Sequence, residues 1–323
     1  STGVVMTNAA IWDLQATQTI ATLTMASDNS IISSAGSSSL TVSGAATIAY
    51  SIATSGNQTY SGAVTLAANT TLSTTSNGNV VFSTTVNGAN TLTVNTHGAG
   101  DTTITGALGG SAALTGLTIN TDVLSSAALT VAGPISITAG TIAVNENINT
   151  SAGTTNGDIL LKSSGDISVA ENKSITTSGG DVVLWSNSDG QTTNGSIKLT
   201  NGASIVTGSS TVAGGAIWLG GGSTATTWKG LSVGNGYAVS GASGIAVYLE
   251  KSSINSFGGA IKIAGETVSN WGIVSLGDTT IDSGSGTLEL DARVSGTAWG
   301  STAILFGLHA NNYAATVNIS SSA

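Results

Sequence analysis

The sequence predicts an all-β fold, a parallel β-helix (β-solenoid) of roughly a dozen coils. Three observations carry that expectation: short runs that alternate apolar with polar residues, turns marked by glycine, and a strand–corner–strand unit that recurs along the chain. The alternation is plain in Ser39-Leu40-Thr41-Val42-Ser43, Ala63-Val64-Thr65-Leu66, Thr91-Leu92-Thr93-Val94-Asn95 and Ser136-Ile137-Thr138. Side chains alternate across a strand, so each run has one apolar and one polar face. With 44 Gly and a single Pro (Pro134), turns are plentiful and interruptions of a hydrogen-bond ladder are rare. These runs alone fit a sandwich, a barrel or a solenoid.

The repeats separate the three. Ser174-Ile175-Thr176-Thr177-Ser178-Gly179-Gly180-Asp181-Val182-Val183-Leu184 matches Ser253-Ile254-Asn255-Ser256-Phe257-Gly258-Gly259-Ala260-Ile261-Lys262-Ile263. It also matches Thr280-Ile281-Asp282-Ser283-Gly284-Ser285-Gly286-Thr287-Leu288-Glu289-Leu290. A fourth copy runs from Ser204-Ile205-Val206-Thr207 to Gly214-Gly215-Ala216-Ile217-Trp218-Leu219, with five residues inserted. The leading Ile stands at 148, 175, 205, 254 and 281, at intervals of 27, 30, 49 and 27. A solenoid stacks like positions one coil apart, which gives inward ladders of Ile, Val and Leu. A sandwich has no reason to repeat one unit at this interval. The long interval predicts an extra or enlarged coil around Trp228 to Glu250. At roughly 25 residues per coil, stacked at about 4.8 Å, the chain makes about 13 coils and a rod of about 60 Å.

Two regions of one continuous solenoid are expected. Residues 1–155 are rich in Thr and Ala, with looser repeats such as Gly62-Ala63-Val64-Thr65-Leu66, Asn79-Val80-Val81-Phe82 and Gly133-Pro134-Ile135-Ser136-Ile137. Residues 156–323 hold the regular, Trp-bearing coils. A separate β-sandwich is the alternative for 1–155.

Composition excludes several function classes. Of 323 residues, 40% are hydrophobic and 7% charged, against about 25% charged in an ordinary domain. The apolar residues are too many and too regular for disorder. The best apolar run, Ala303 to Leu308, is far short of the roughly 18 residues of a membrane span. The surface is therefore built of Ser, Thr, Asn and Gly. The net charge is −9, and no base precedes Lys162, which leaves −6 over 1–161 and −3 over 162–323. A basic footprint for nucleic acid is missing. Cysteine is absent, so the core alone must supply stability. Ser1 reads as the start of a processed or excised region.

Catalytic chemistry has little to draw on, and the reading is non-enzymatic. The two histidines, His97 and His309, are far apart; His97 lies in a turn-like Asn95-Thr96-His97-Gly98. Polysaccharide lyases and hydrolases on β-helices need clustered carboxylates, often with Arg, Lys or calcium. Here Arg293 is the sole Arg, and Asp278, Asp282, Glu289 and Asp291 form the densest acidic group. Asp282 and Glu289 fall on outward slots, as on a solvated face. Asn187-Ser188-Asp189-Gly190 has the start of a calcium loop without its terminal Glu, and reads as a turn. Gly220-Gly221-Gly222 lacks the Lys-Ser/Thr of a phosphate loop and reads as a solenoid corner. No cofactor and no metal are expected. The Thr-x-Thr tripeptides Thr22-Leu23-Thr24, Thr91-Leu92-Thr93 and Thr103-Ile104-Thr105 do not recur once per coil, which argues against the ice-binding alternative.

Trp185, Trp218, Trp228, Trp271 and Trp299 are the candidate interaction surface. Trp218 falls between two inward residues and should point outward. Trp185 and Trp218 follow inward Leu184 and Ile217 at different places in the repeat, which does not require a shared face. An aromatic row in solvent would stack on sugars or dock a neighbouring rod; ordinary packing under a loop is the competing reading.

The runs Gly157-Asp158-Ile159-Leu160-Leu161, Gly165-Asp166-Ile167-Ser168-Val169 and Gly180-Asp181-Val182-Val183-Leu184 carry a family resemblance. So do Gly56-Asn57-Gln58-Thr59-Tyr60-Ser61-Gly62-Ala63-Val64-Thr65-Leu66, Gly106-Ala107-Leu108-Gly109-Gly110 and Leu114-Thr115-Gly116-Leu117-Thr118. Over about two-thirds of its length the chain resembles the filamentous-haemagglutinin-like, two-partner-secretion-type surface proteins of bacteria. The resemblance implies a right-handed β-helix, secretion to the cell surface, and adhesion or fibre formation. The family's N-terminal secretion domain is not recognisable, so an internal piece of a longer protein is expected. The expected partners are the chain itself, in a filament built end to end or side by side, or cell-surface glycans or proteins. Carbohydrate binding or carbohydrate activity is the alternative function.

Overall fold

The computed structural model describes residues 2–153, 157–191, 195–240, 244–296, 302–306 and 317–320. The chain divides into two compact units, Ser1–Ala139 with Ala152–Thr154, and Gly140–Ser151 with Thr155–Ala323. Among the described residues there is no helix. Both units are parallel β-helices.

In the first unit the chain visits three ladders in turn. One stacks Val4–Met6, Leu23–Met25, the start of Ala46–Thr54, the start of Val64–Thr74, and Val86–Asn87. The second stacks Ile11–Asp13, Ser30–Ile32, the later halves of those two long strands, Thr91–Asn95, Gly116–Asn120 and Ile135–Ala139. The third stacks Gln18–Ile20, Leu40–Val42, Gln58–Tyr60, Val80–Phe82, Thr102–Ile104 and Val123–Ser126. All these pairings are parallel, between strands about one coil apart in sequence. A sandwich would instead pair sequence neighbours in antiparallel fashion, so the sandwich alternative for this region is excluded.

Asparagines hold successive coils together at the edges. The Asn79 backbone N–H donates to the Asn57 side chain, Asp101 N–H to Asn79, and Val123 N–H to the Asp101 carboxylate, each link spanning 22 residues. Inside, the Tyr60 and Phe82 rings stack at 5.3 Å and 15°. The Tyr60 hydroxyl donates to buried Gln58, whose amide donates to the carbonyls of Ile52 and Ser73. Full pairing removes the cost of burying that amide.

The second unit shows why the repeat exists. Ile148, Ile175, Ile205, Ile254 and Ile281 stack in register on one ladder, and all are buried. Each contributes about 1.5–3 kcal/mol by leaving water. A second ladder stacks Ile142, Ile167, Ile197, Val247, Ile273 and Ile304. A third stacks the strands Ile159–Ser163, Val182–Ser186, the start of Ile217–Trp228, Ile261–Thr267 and Leu288–Val294.

Between the Ile ladder and the third ladder lies the glycine corner. A Cβ on Gly180, Gly215, Gly259 or Gly286 would collide with the carbonyl of Gly157, Gly180, Gly215 or Gly259 in the preceding coil. Only glycine permits that approach. Each corner is clamped by a buried hydroxyl. Thr150 donates to the Gly157 carbonyl, Thr177 to Gly180, Thr207 to Gly215, Ser256 to Gly259 and Ser283 to Gly286, at 2.6–2.8 Å.

The Gly-Asp-Ile/Val runs have an equally local cause. The Asp158 carboxylate accepts the Asp181 N–H at 2.9 Å, and Asp181 accepts the Ala216 N–H at 2.6 Å. Asp166 accepts the N–H groups of Gly195 and Ser196. Each carboxylate thus satisfies backbone donors at the start of the next strand, as a helix cap does.

Candidate functional site

The one long interval in the Ile ladder holds a single enlarged coil. Ile205 pairs directly with Ile254, and much of the surplus chain forms an antiparallel hairpin. The strand Ile217–Trp228 begins in the parallel ladder, leaves it, and returns as Leu231–Gly236. The connection is the two-residue turn Lys229-Gly230, with φ of 50° and 88°. Positive φ at both positions is the tight hairpin turn that matches strand twist. Gly220, Gly221 and Gly222 lie in the strand where it leaves the ladder, with Gly222 at φ 109°. They are not at a solenoid corner: the strand leaves the third ladder there, Ala238–Ser240 resumes the pairing against Gly265–Thr267, and Gly221 and Gly234 let two backbones cross closely.

Ile217 and Leu219 face the core, so Trp218 between them faces outward. Its register neighbours on that outer surface are Val183 on one side and Lys262 on the other; Leu160 lies beyond Val183 and Glu289 beyond Lys262. The row changes from apolar to charged at Trp218. The hairpin covers the apolar part, packing Val233, Leu231 and Trp228 against Val183, Trp185 and Trp218. The Trp185 indole N–H donates to the Gly222 carbonyl at 2.7 Å, and Lys162 Nζ lies 4.2 Å from its ring centre.

A cavity of about 240 Å³ opens where the hairpin meets the charged part of the row. Trp218, Trp228, Asn235, Tyr237, Lys262 and Asp291 are among its lining. The Tyr237 hydroxyl donates to both Asp291 oxygens, at 3.1 and 3.2 Å. Lys262 Nζ lies 2.5 Å from Glu289 and 3.9 Å from Asp291. Arg293 covers the Tyr237 ring at 4.6 Å and pairs with Glu266 at 2.7 Å. Burial first, and then the charge of Asp291, raise the Tyr237 phenol above its ordinary range. The hydrogen bond that the Arg293 guanidinium donates to Glu266 holds it above its own.

Three of the five candidate tryptophans therefore meet. Trp185 and Trp218 share the outward face after all, and at 4% and 2% exposure they pack beneath the hairpin instead of forming a row in solvent. Trp228 is half-buried at the cavity. Trp271 is half-buried on another ladder, beside Ile245 and Thr302. Trp299 lies outside the described residues, as does His309. His97 is exposed in a turn. Asn187 to Gly190 form a turn closed by the Gly190 N–H on the Asn187 carbonyl. The acidic group is divided: Asp282 lies on the Ile ladder and caps the Gly284 N–H, while Glu289 and Asp291 lie on the third ladder. Among the described residues no three His, Cys, Asp or Glu side chains are grouped to hold a metal ion, and no helix is long and apolar enough to cross a membrane.

Tyr237 and Lys262 were not among the candidates. The signal for them was present: Thr226-Thr227-Trp228-Lys229-Gly230-Leu231-Ser232-Val233 alternates on both sides of a two-residue turn ending in Gly, the pattern of a hairpin. Comparison of the chain with family models, curated proteins and solved structures finds no match.

Proposed function

We propose that the chain is a structural and adhesive module of an extracellular, filamentous-haemagglutinin-like bacterial surface protein, belonging to a surface fibre. One observation carries this reading. A parallel β-helix with outward Ser, Thr and Asn rows is broken in its third ladder by a hairpin standing on the outer face, and the hairpin shelters a cavity of mixed aromatic and charged character. The stacked ladders supply a stiff support, and the hairpin supplies the point of contact. The resemblance carried by the Gly-Asp-Ile runs supports the same reading, because those carboxylates act on the next coil and not on a substrate.

The test is antibody labelling of intact cells of the source organism, followed by gold-label electron microscopy. The reading expects label on intact cells, along fibres. Label that appears only after the cells are opened would overturn it.

A further inference from the structure

We propose that the cavity beneath the hairpin binds a single ring of a neutral sugar, most directly the terminal residue of a surface glycan; this deepens the adhesive reading and rests on it. The size of the cavity is the first argument. About 240 Å³ is below the roughly 300–1,000 Å³ of sites that enclose drug-sized ligands, and suits one six-membered ring. The lining is the second. Trp228, half-buried at the cavity, offers apolar ring surface to the C–H face of a sugar, while the covered Trp218 closes the wall behind it.

Charge is the third argument. Asp291 only accepts hydrogen bonds and Lys262 only donates them, and they stand 3.9 Å apart. A pair of neighbouring sugar hydroxyls both donates and accepts, so it can bridge them. The Asn235 amide, also in the lining, adds a donor and an acceptor. An anionic sugar is disfavoured. Lys262, the cation in the lining, is already matched by Glu289 and Asp291, and Arg293 beside it by Glu266. A cationic ligand would face the Lys262 ammonium directly. The Tyr237 hydroxyl keeps Asp291 in place from the other side.

The experiment is saturation-transfer NMR and calorimetry on the purified chain. The probes are the methyl glycosides of glucose, galactose, mannose and N-acetylglucosamine, with galacturonate and sialic acid as anionic probes. At least one neutral glycoside is expected to bind. Asp291→Asn and Trp228→Ala should each weaken it at least tenfold, while His97→Ala, in an exposed turn, leaves it unchanged. Trp228→Phe keeps the hairpin packed and should weaken binding less than Trp228→Ala. No saturation transfer from any neutral probe, preference for an anionic probe, or binding that survives both Asp291→Asn and Trp228→Ala overturns the proposal. Surface label on intact cells without sugar binding would sink this inference and leave the adhesive reading standing.

Discussion

Ile205 sits directly on Ile254 in the ladder, although the coil between them carries a whole hairpin. The hairpin therefore adds to the β-helix without forming part of its winding. Replacing residues 223–235 with two glycines should leave the far-ultraviolet circular dichroism of the β-helix essentially unchanged, because closing or shortening a surface loop costs little. It should uncover Trp185 and Trp218, so binding of a hydrophobic dye rises. A further Trp218→Thr change should lower the dye signal again.

Truncation in the Ile ladder should be expensive. Ile254→Ala leaves a cavity between Ile205 and Ile281, with an expected cost of about 2–5 kcal/mol. Val5→Ala, at a position 71% exposed, should fall within about 0.5 kcal/mol of the parent. Urea unfolding midpoints of the two variants make the comparison.

The corner should reject even one methyl group. In Gly215→Ala the new Cβ meets the Gly180 carbonyl, and overpacking of this kind costs roughly 1–3 kcal/mol. Gly36→Ala places its Cβ in open space and should be neutral to slightly stabilising. Thermal unfolding of both should separate steric from entropic effects.

The hydroxyl clamp can be tested apart from the glycine. Thr207→Val keeps the shape and removes the donor to the Gly215 carbonyl, at an expected cost of about 1–3 kcal/mol. Thr207→Ser keeps the donor and should cost less. A larger loss in Thr207→Ser than in Thr207→Val would mean that the methyl group, not the bond, holds the corner.

Asp181 should make stability depend on pH in the less common direction. Burial raises its carboxyl above the ordinary value of 3.8, with the charge of Asp158 adding to the effect against the bond from Ala216 N–H. A raised folded-state value means that the folded protein holds the proton more tightly than the unfolded chain. This carboxyl therefore costs stability as pH rises from 3.8 through its folded value, and the cost disappears below 3.8. Asp181→Asn keeps an oxygen acceptor for Ala216. Its urea midpoint should exceed the parent's at pH 7, and the difference should shrink toward pH 3.

Much of this architecture could be read from residue order. Ile148, Ile175, Ile205, Ile254 and Ile281 share one ladder because burial forces like positions to coincide, and that same requirement imprints the repeat on the sequence. The Gly-Asp runs were legible as a pattern, but their cause was not. Which N–H the Asp158 carboxylate receives depends on what lies one coil away. The cavity was less legible still. Trp218, Tyr237 and Asp291 are far apart in sequence and come together only because the hairpin folds back across the outer face. The alternation around Lys229-Gly230 announced a hairpin, but nothing local says over which strands it lies.

The stacked glycines have a consequence for how the second unit is wound. Successive coils there differ widely in length, yet each brings a glycine to the same spot above the last, where nothing larger fits. Every turn is thus measured afresh against its neighbour. A residue gained or lost within one coil must be absorbed in a bulge or loop before the next corner, and a slip in one turn is not handed on to the next.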